Sequence, residues 1–291
     1  MKRKLEQPLL CHCDSLWTRV VALCAALVLT QSDFLENGRQ RVCLGAGPIK
    51  VEQAGDRFVN FVLSEIEKTR GQLPAITRAA ELAASRIVDH DGELLSAGDH
   101  SFSLEPVWRA GGIAFSRQYL PEKQAAAAAV KSASEEIPYY RTKEFVEHFT
   151  VTAAQQHDVV LLGFENEKQE GLHVNENVER LLDEGALVIF FGSQQRGVKL
   201  QKKFAGNDRL ILITHDVPDG GVLEISGWPE RICSGRSIAN RLYLWTFEAE
   251  LISAFMRRGK MPGILLSVTY ESPQIWNVPL LHDYKFIPAF N

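Results

Sequence analysis

A chain of 291 residues that is 45% apolar and 23% charged is long enough to bury one large core and carry an extension. Its formal charge of -4 excludes broad nucleic-acid binding, because neutralising phosphates needs a concentrated excess of Lys and Arg. Cys11, Cys13, Cys24 and Cys43 precede residue 50 and only Cys233 follows, so no disulfide framework is expected for the main domain. Cys11-His12-Cys13 lacks the second ligand pair of a zinc site, and neither a metal nor a cofactor is expected.

The chain divides near residue 50. Lys2, Arg3 and Lys4 precede the apolar run from Val20 to Leu29, which is followed by Thr30, Gln31 and Ser32. The pattern is that of a signal peptide, and the run is too short to make a stable membrane span. Against export, the leading segment is long and contains Glu6, His12, Asp14 and Trp17. Residues 1–50 therefore read either as a peripheral extension or misassigned leader on a cytoplasmic protein, or as an export signal. From about residue 51 to 291 no Gly/Ser-rich or Pro-rich linker and no fixed-period repeat interrupts the chain, which argues one domain.

Phe58, Val62 and Ile66 fall four apart and predict a helix from Asp56. A second helix is expected to begin at Pro74, with Ile76, Ala80, Ala83 and Ile87 on one face and Asp91-Gly92 as its end. Short apolar runs then follow at Glu93–Ala97, Val159–Gly163, Ala186–Phe191, Leu210–Thr214 and Ile264–Val268, with Gly112–Phe115 as a further candidate strand. Runs apolar on both faces and separated by helices predict a parallel sheet covered on both sides. Lys123–Phe149, opening on alanines, predicts a helix pair. Ile238, Leu242, Trp245, Ala249, Ile252 and Met256 recur at four and three and give the clearest helix, Arg236 to Arg258. The expected fold is a three-layer α/β/α, doubly wound sheet of about five parallel strands.

Several segments resemble, in the same order along the chain, the sugar isomerase (SIS) phosphosugar-binding domain, in particular a bacterial branch of it. Ser96-Ala97-Gly98-Asp99-His100-Ser101 and Arg109-Ala110-Gly111-Gly112 are similar to that family's first strand-end turn and following helix end. His157–Leu162, Leu182–Ile189, Gly227–Arg231 and the helix after Arg236 are similar to its later elements, so the resemblance covers roughly residues 55 to 270. It implies a five-stranded parallel sheet, a homodimer, and a sugar phosphate held in loops at the carboxyl ends of the strands. An open parallel sheet has its crevice there, where helix N-termini offer N–H groups to an anion.

On that resemblance, Ser101 and Ser103 donate to a phosphate and Gly98 allows a close backbone approach; plain N-capping by Ser101 is the alternative. Asp99 departs from the family, since an acid facing the pocket would repel phosphate. Where the family has a Ser-x-Ser-Gly cradle, this chain reads Phe164-Glu165-Asn166-Glu167-Lys168, so Asn166 and Lys168 stand in for the serines. Ser193, after the third long strand, matches a family hydroxyl, with a Gly-Ser turn as its plainer role. Ser237 is a ligand hydroxyl or a cap. For isomerisation a base near neutral pH is needed, and Glu250, aligned with a family acid, is the first candidate and His100 the second. Glu248 is the neighbour of Glu250, and both also fit an exposed helix face. His173, His215 and Asp216 do not form a helix-spaced metal set.

Three functions follow: a binding protein for a sugar or sugar phosphate without strong catalysis, a phosphosugar aldose-ketose isomerase, or a dimeric scaffold with a vestigial crevice. Because residues 1–50 carry no pattern that continues into the domain, truncation to Val51 is expected to leave a soluble, cooperatively melting protein. Differential scanning calorimetry of the truncated and full chains checks this, a large loss of melting temperature being the contrary result.

Overall fold

In a computed structural model of the chain, the described residues are 54–121, 149–165, 167–226, 228–267 and 285–287, without the side chains of 108 and 167–173. All belong to the second of two units into which the chain divides, Val51–Asn291. The signal-like run, most of the alanine-rich Lys123–Phe149 stretch, Asn166 and the Lys168 side chain lie outside them.

The core element is β4, Val159–Gly163, five consecutive residues all buried. A strand apolar on both faces is stable only between two strands and two layers of helices, and this is where it sits. Its neighbours are β1, Leu94–Gly98, and β5, Leu187–Ser193, both parallel to it. Beyond β5 lies β6, Leu210–His215. On the other side of β1 come two short strands, β2, Arg117–Tyr119, and β3, Thr150–Val151. The result is a six-stranded, all-parallel sheet in the order β3-β2-β1-β4-β5-β6.

Alternate strand residues feed two cores. Leu94, Val159, Leu161, Leu187, Ile189 and Phe191 face a layer made by α1, Ala54–His90, and α6, Gly235–Arg257. Leu95, Val160, Leu162, Val188 and Phe190 face α4, Glu167–Asp183, and α5, Gln194–Lys203, which contribute Val174, Val178, Leu181 and Leu200. This is the expected three-layer α/β/α architecture. Two single-turn helices, α2, His100–Ser103, and α3, Glu105–Trp108, lie between β1 and β2. A small antiparallel arm, β7, Gly221–Leu223, with β8, Ile232–Ser234, leads into α6. A second antiparallel pair joins β9, Met261–Pro262, to β10, Phe286–Ile287.

Three sequence expectations are corrected. The helix expected to begin at Pro74 is instead a continuation of the first, for α1 is one helix of 37 residues with Pro74 inside it. Proline already has a helical φ and forfeits one hydrogen bond, and the buried face continues past it through Ile76, Ala79, Ala80, Ala83, Ala84 and Ile87. Those alanines let α1 lie close against Ala239, Tyr243, Leu251 and Ala254 of α6. Second, Gly112–Phe115 and Ile264–Val268 are not sheet strands, since within their described residues a single antiparallel bridge joins Ile113 to Ile264. Third, two strands that the sequence did not suggest complete the six, the polar segment Arg117–Tyr119 and, at the sheet edge, Thr150–Val151.

The order reverses at β1, whose neighbours are β2 on one side and β4 on the other, and this places a topological switch point at the carboxyl ends of β1 and β4. The two strand ends touch there. Gly98 has φ 115°, and a Cβ on it would overlap the Gly163 carbonyl, so only glycine fits.

Pro74 is exposed and stands in a helix interior, where proline costs up to ~3 kcal/mol relative to alanine. Pro74→Ala is expected to raise stability by ~1–3 kcal/mol, read as a higher urea midpoint with unchanged slope.

Candidate functional site

Two clusters stand at the carboxyl edge of the sheet. The first lies at the switch point and is organised by Asp99. Its side chain is the N-cap of α2, accepting from Phe102 N at 3.0 Å, and it also accepts from Ser101 Oγ at 3.1 Å. Its second oxygen accepts a short hydrogen bond from Glu165 N in the loop after β4. One carboxylate thus holds donors from both loops that flank the crevice. Asp99, not Ser101, is the cap.

The loop after β4 is tied down a second time. Glu165 Oε1 accepts from Arg241 Nη1 at 2.7 Å and from Ser237 Oγ at 2.9 Å. Arg241 Nε also reaches Glu105 at 3.3 Å, and Glu105 accepts from Arg109 Nε and Trp245 Nε1, each at 3.3 Å. Asn240 Nδ2 donates to Phe164 O at 2.8 Å. The α6 side chains Ser237, Asn240 and Arg241 therefore stitch the two switch-point loops together.

These contacts place the sequence candidates. Gly98 serves the approach of β1 to β4. Ser101 is exposed and bonded to Asp99. Ser103 is 2% exposed, and its hydroxyl accepts from Gln118 Nε2 at 2.8 Å, which turns it into the protein. Ser237 donates to Glu165 and is not the cap of α6, whose N-cap residue is Ser234. His100 is exposed at the start of α2. Lys168 belongs to α4, and Asn166 falls outside the described residues.

Glu250 accepts from Thr77 Oγ1 of α1 at 2.9 Å, so it is engaged between the two helices of the α1 and α6 layer. Its neighbour Glu248 is the unusual group. Glu248 is 1% exposed, and neither carboxyl oxygen has a hydrogen-bond partner. It lies beside Gly112, and burial, reinforced by the charge of Glu105, pushes its pKa up to about 8. A buried carboxyl without a partner is tolerable only when protonated.

The second cluster is a cleft of about 520 Å³ between the carboxyl ends of β5 and β6. Ser193, Gln194 and Gln195 border it from the start of α5, His215 and Asp216 from the end of β6, and Arg236 from the first turn of α6. Ser193 Oγ caps α5 by accepting from Arg196 N at 3.3 Å. Arg236 is buried; its Nε donates to Val217 O at 3.2 Å and its Nη1 lies 3.6 Å from Asp219. Asp216 pairs with Lys68 of α1, which also reaches the buried Glu65 at 2.8 Å.

His215 is 2% exposed and stacks on Tyr243 with ring centroids 6.5 Å apart. The Asn240 amide faces the imidazole, yet both ring nitrogens and Asn240 Oδ1 lack a hydrogen bond of good geometry. Burial first, and then the Arg236 charge, lower the His215 pKa to about 4, so the ring is neutral at pH 7. A neutral imidazole supplies one N–H and one lone pair. Ser193 is thus the predicted site residue at this cleft; His215 and Arg236 line it too, and the Asn240 amide faces the His215 ring. Among the described residues no group of three His, Cys, Asp or Glu side chains is placed to hold a metal, and no helix is long and apolar enough to cross a membrane.

The chain matches no protein-family model, and no curated protein matches it significantly.

Glu248 yields a pH dependence of definite sign. Between the ordinary carboxyl value of 4.5 and about 8, the folded chain holds a proton that the unfolded chain has released. Folding then takes up a proton, so this residue's contribution to stability falls by ~1.4 kcal/mol per pH unit, is intact below 4.5 and levels off above 8. Glu248→Gln is expected to be as stable as the parent near pH 4 and more stable, by a few kcal/mol, at pH 8. Denaturant titrations across that range check the slope.

Proposed function

We propose that the chain binds a sugar or sugar-phosphate derivative, without strong catalysis, in the cleft between the carboxyl ends of β5 and β6. The observation that carries this reading is the cleft itself. It is about 520 Å³, the size of a small-ligand site, and sets a buried Arg236 and His215 between the starts of two helices. Parallel sheets bind ligands at this edge, and the resemblance to the sugar isomerase class supplies the ligand type.

Binding is favoured over isomerisation because the described residues around the cleft offer no base poised near neutrality. Asp216 is ion-paired with Lys68 and His215 has its pKa at about 4, while Glu250, the base expected from the sequence, does not line the cleft and is bonded to Thr77. Proton transfer between sugar carbons needs a base titrating close to the working pH.

We propose further that the protein acts as a homodimer through α1. Val59, Leu63, Ile66 and Leu73 are exposed on that helix, with Val59, Ile66 and Leu73 spaced by sevens. Such spacing forms one stripe along a helix, which a second copy covers by two-fold symmetry.

Two experiments test these readings. In a thermal-shift screen over hexoses, amino sugars and their phosphates, at least one compound is expected to raise the melting temperature of the native protein. Val198→Trp, at a cleft residue that is 60% exposed, is expected to abolish that rise with the unliganded melting temperature nearly unchanged. No rise with any compound, or a rise that survives Val198→Trp, refutes the site. Light scattering at micromolar concentration is expected to give twice the chain mass, and Ile66→Glu a single chain mass.

A further inference from the structure

We infer that the cleft between β5 and β6 is built for an uncharged, hydroxyl-bearing sugar and discriminates against its phosphate ester. This rests on the reading of the cleft as the ligand site and adds the charge of the ligand.

The polar groups around the cleft are chiefly of the kind that both donate and accept. Gln194 and Gln195 are exposed at its border, and each amide offers an N–H₂ and a carbonyl. The neutral His215 ring also lines the cleft, and neither of its nitrogens has a hydrogen bond of good geometry, although the Asn240 amide faces it. A sugar hydroxyl both donates and accepts, so it suits either the lone pair or the N–H of such a ring. A phosphate monoester is an acceptor only at its anionic oxygens, and an imidazole lone pair or an amide carbonyl gives it nothing.

Charge points the same way. Asp216 and Asp219 both line the cleft against one lining cation, Arg236. That guanidinium already serves the Val217 carbonyl at 3.2 Å and lies 3.6 Å from Asp219. The N-terminus of α5, a ten-residue helix, would favour an anion, but its Arg196 N–H donates to Ser193 Oγ at 3.3 Å. A dianion would displace these contacts and lie beside two carboxylates.

Isothermal titration of the full chain with glucose, fructose and N-acetylglucosamine, each beside its 6-phosphate, tests the inference. The parent sugar that binds is expected to do so at least about tenfold more tightly than its phosphate. Gln194→Ala is expected to weaken the neutral sugar about three- to tenfold, as the loss of one neutral hydrogen bond does. Asp219→Asn is expected to improve the phosphate ester severalfold and leave the parent sugar nearly unchanged. A phosphate that binds more tightly than its parent sugar, or a ratio unmoved by Asp219→Asn, overturns the preference while leaving the cleft as the site. Binding by none of the six compounds, or binding that Val198→Trp does not affect, overturns the cleft reading as well.

Discussion

The Asp99 carboxylate sets the terms for the rest of the carboxyl edge. It accepts from Phe102 N, Ser101 Oγ and Glu165 N, donors that belong to the two loops flanking the switch point. In an open α/β sheet those N–H groups are the ones free to meet an incoming anion. Here the chain supplies its own anion on a one-carbon tether, so the donors are satisfied without a ligand. The expectation was of an acid facing the pocket; in the structure Asp99 instead occupies these donors and does not face them across a pocket.

Closing the switch point leaves its mark on α6. With Asp99 committed to the backbone of the next loop, the side chain of Glu165 turns outward to Arg241 and Ser237, and Arg241 continues to Glu105. Such a chain of ionic hydrogen bonds fixes geometry more than it adds stability, because each ion gives up hydration to join it. Its contribution is to hold α2, α3, α6 and the loop after β4 in one arrangement. Further along the edge, past β4, the cleft lies between the ends of β5 and β6.

How much of this was legible in the sequence varied with how local the signal was. Val159–Gly163 was read to the residue because its period-free apolar run has one stable environment, a central parallel strand. The edge strands Arg117–Tyr119 and Thr150–Val151 were missed, as two or three residues containing Arg, Gln and Thr show no periodicity and pair only because β1 is already in place. Pro74 was over-read as a helix start, since a proline is punctuation only where tertiary packing does not carry the helix across it. Glu250 and Glu248 are two apart on one helix and so lie some 200° apart around it, a difference that resemblance by alignment could not weigh. The structure gives Glu250 a neighbour in Thr77 and leaves Glu248 buried and unpartnered.

The candidate site shows the same dependence on distance along the chain. Ser193 was named because it resembles a family hydroxyl at the end of a strand, which is a local pattern. His215, Asn240 and Arg236 were not assembled, because they lie on β6 and α6 and meet only after the arm β7–β8 has turned the chain back. One local clue was present: His215 ends a strand that runs through Leu210, Ile211, Leu212 and Ile213, and a histidine buried at the end of such a strand must be neutral or paired. It is neutral here, and a neutral imidazole carries one donor and one acceptor. Those two properties, with the carboxylates that line the cleft, are what the proposed preference for ligands that bring hydroxyl groups rests on.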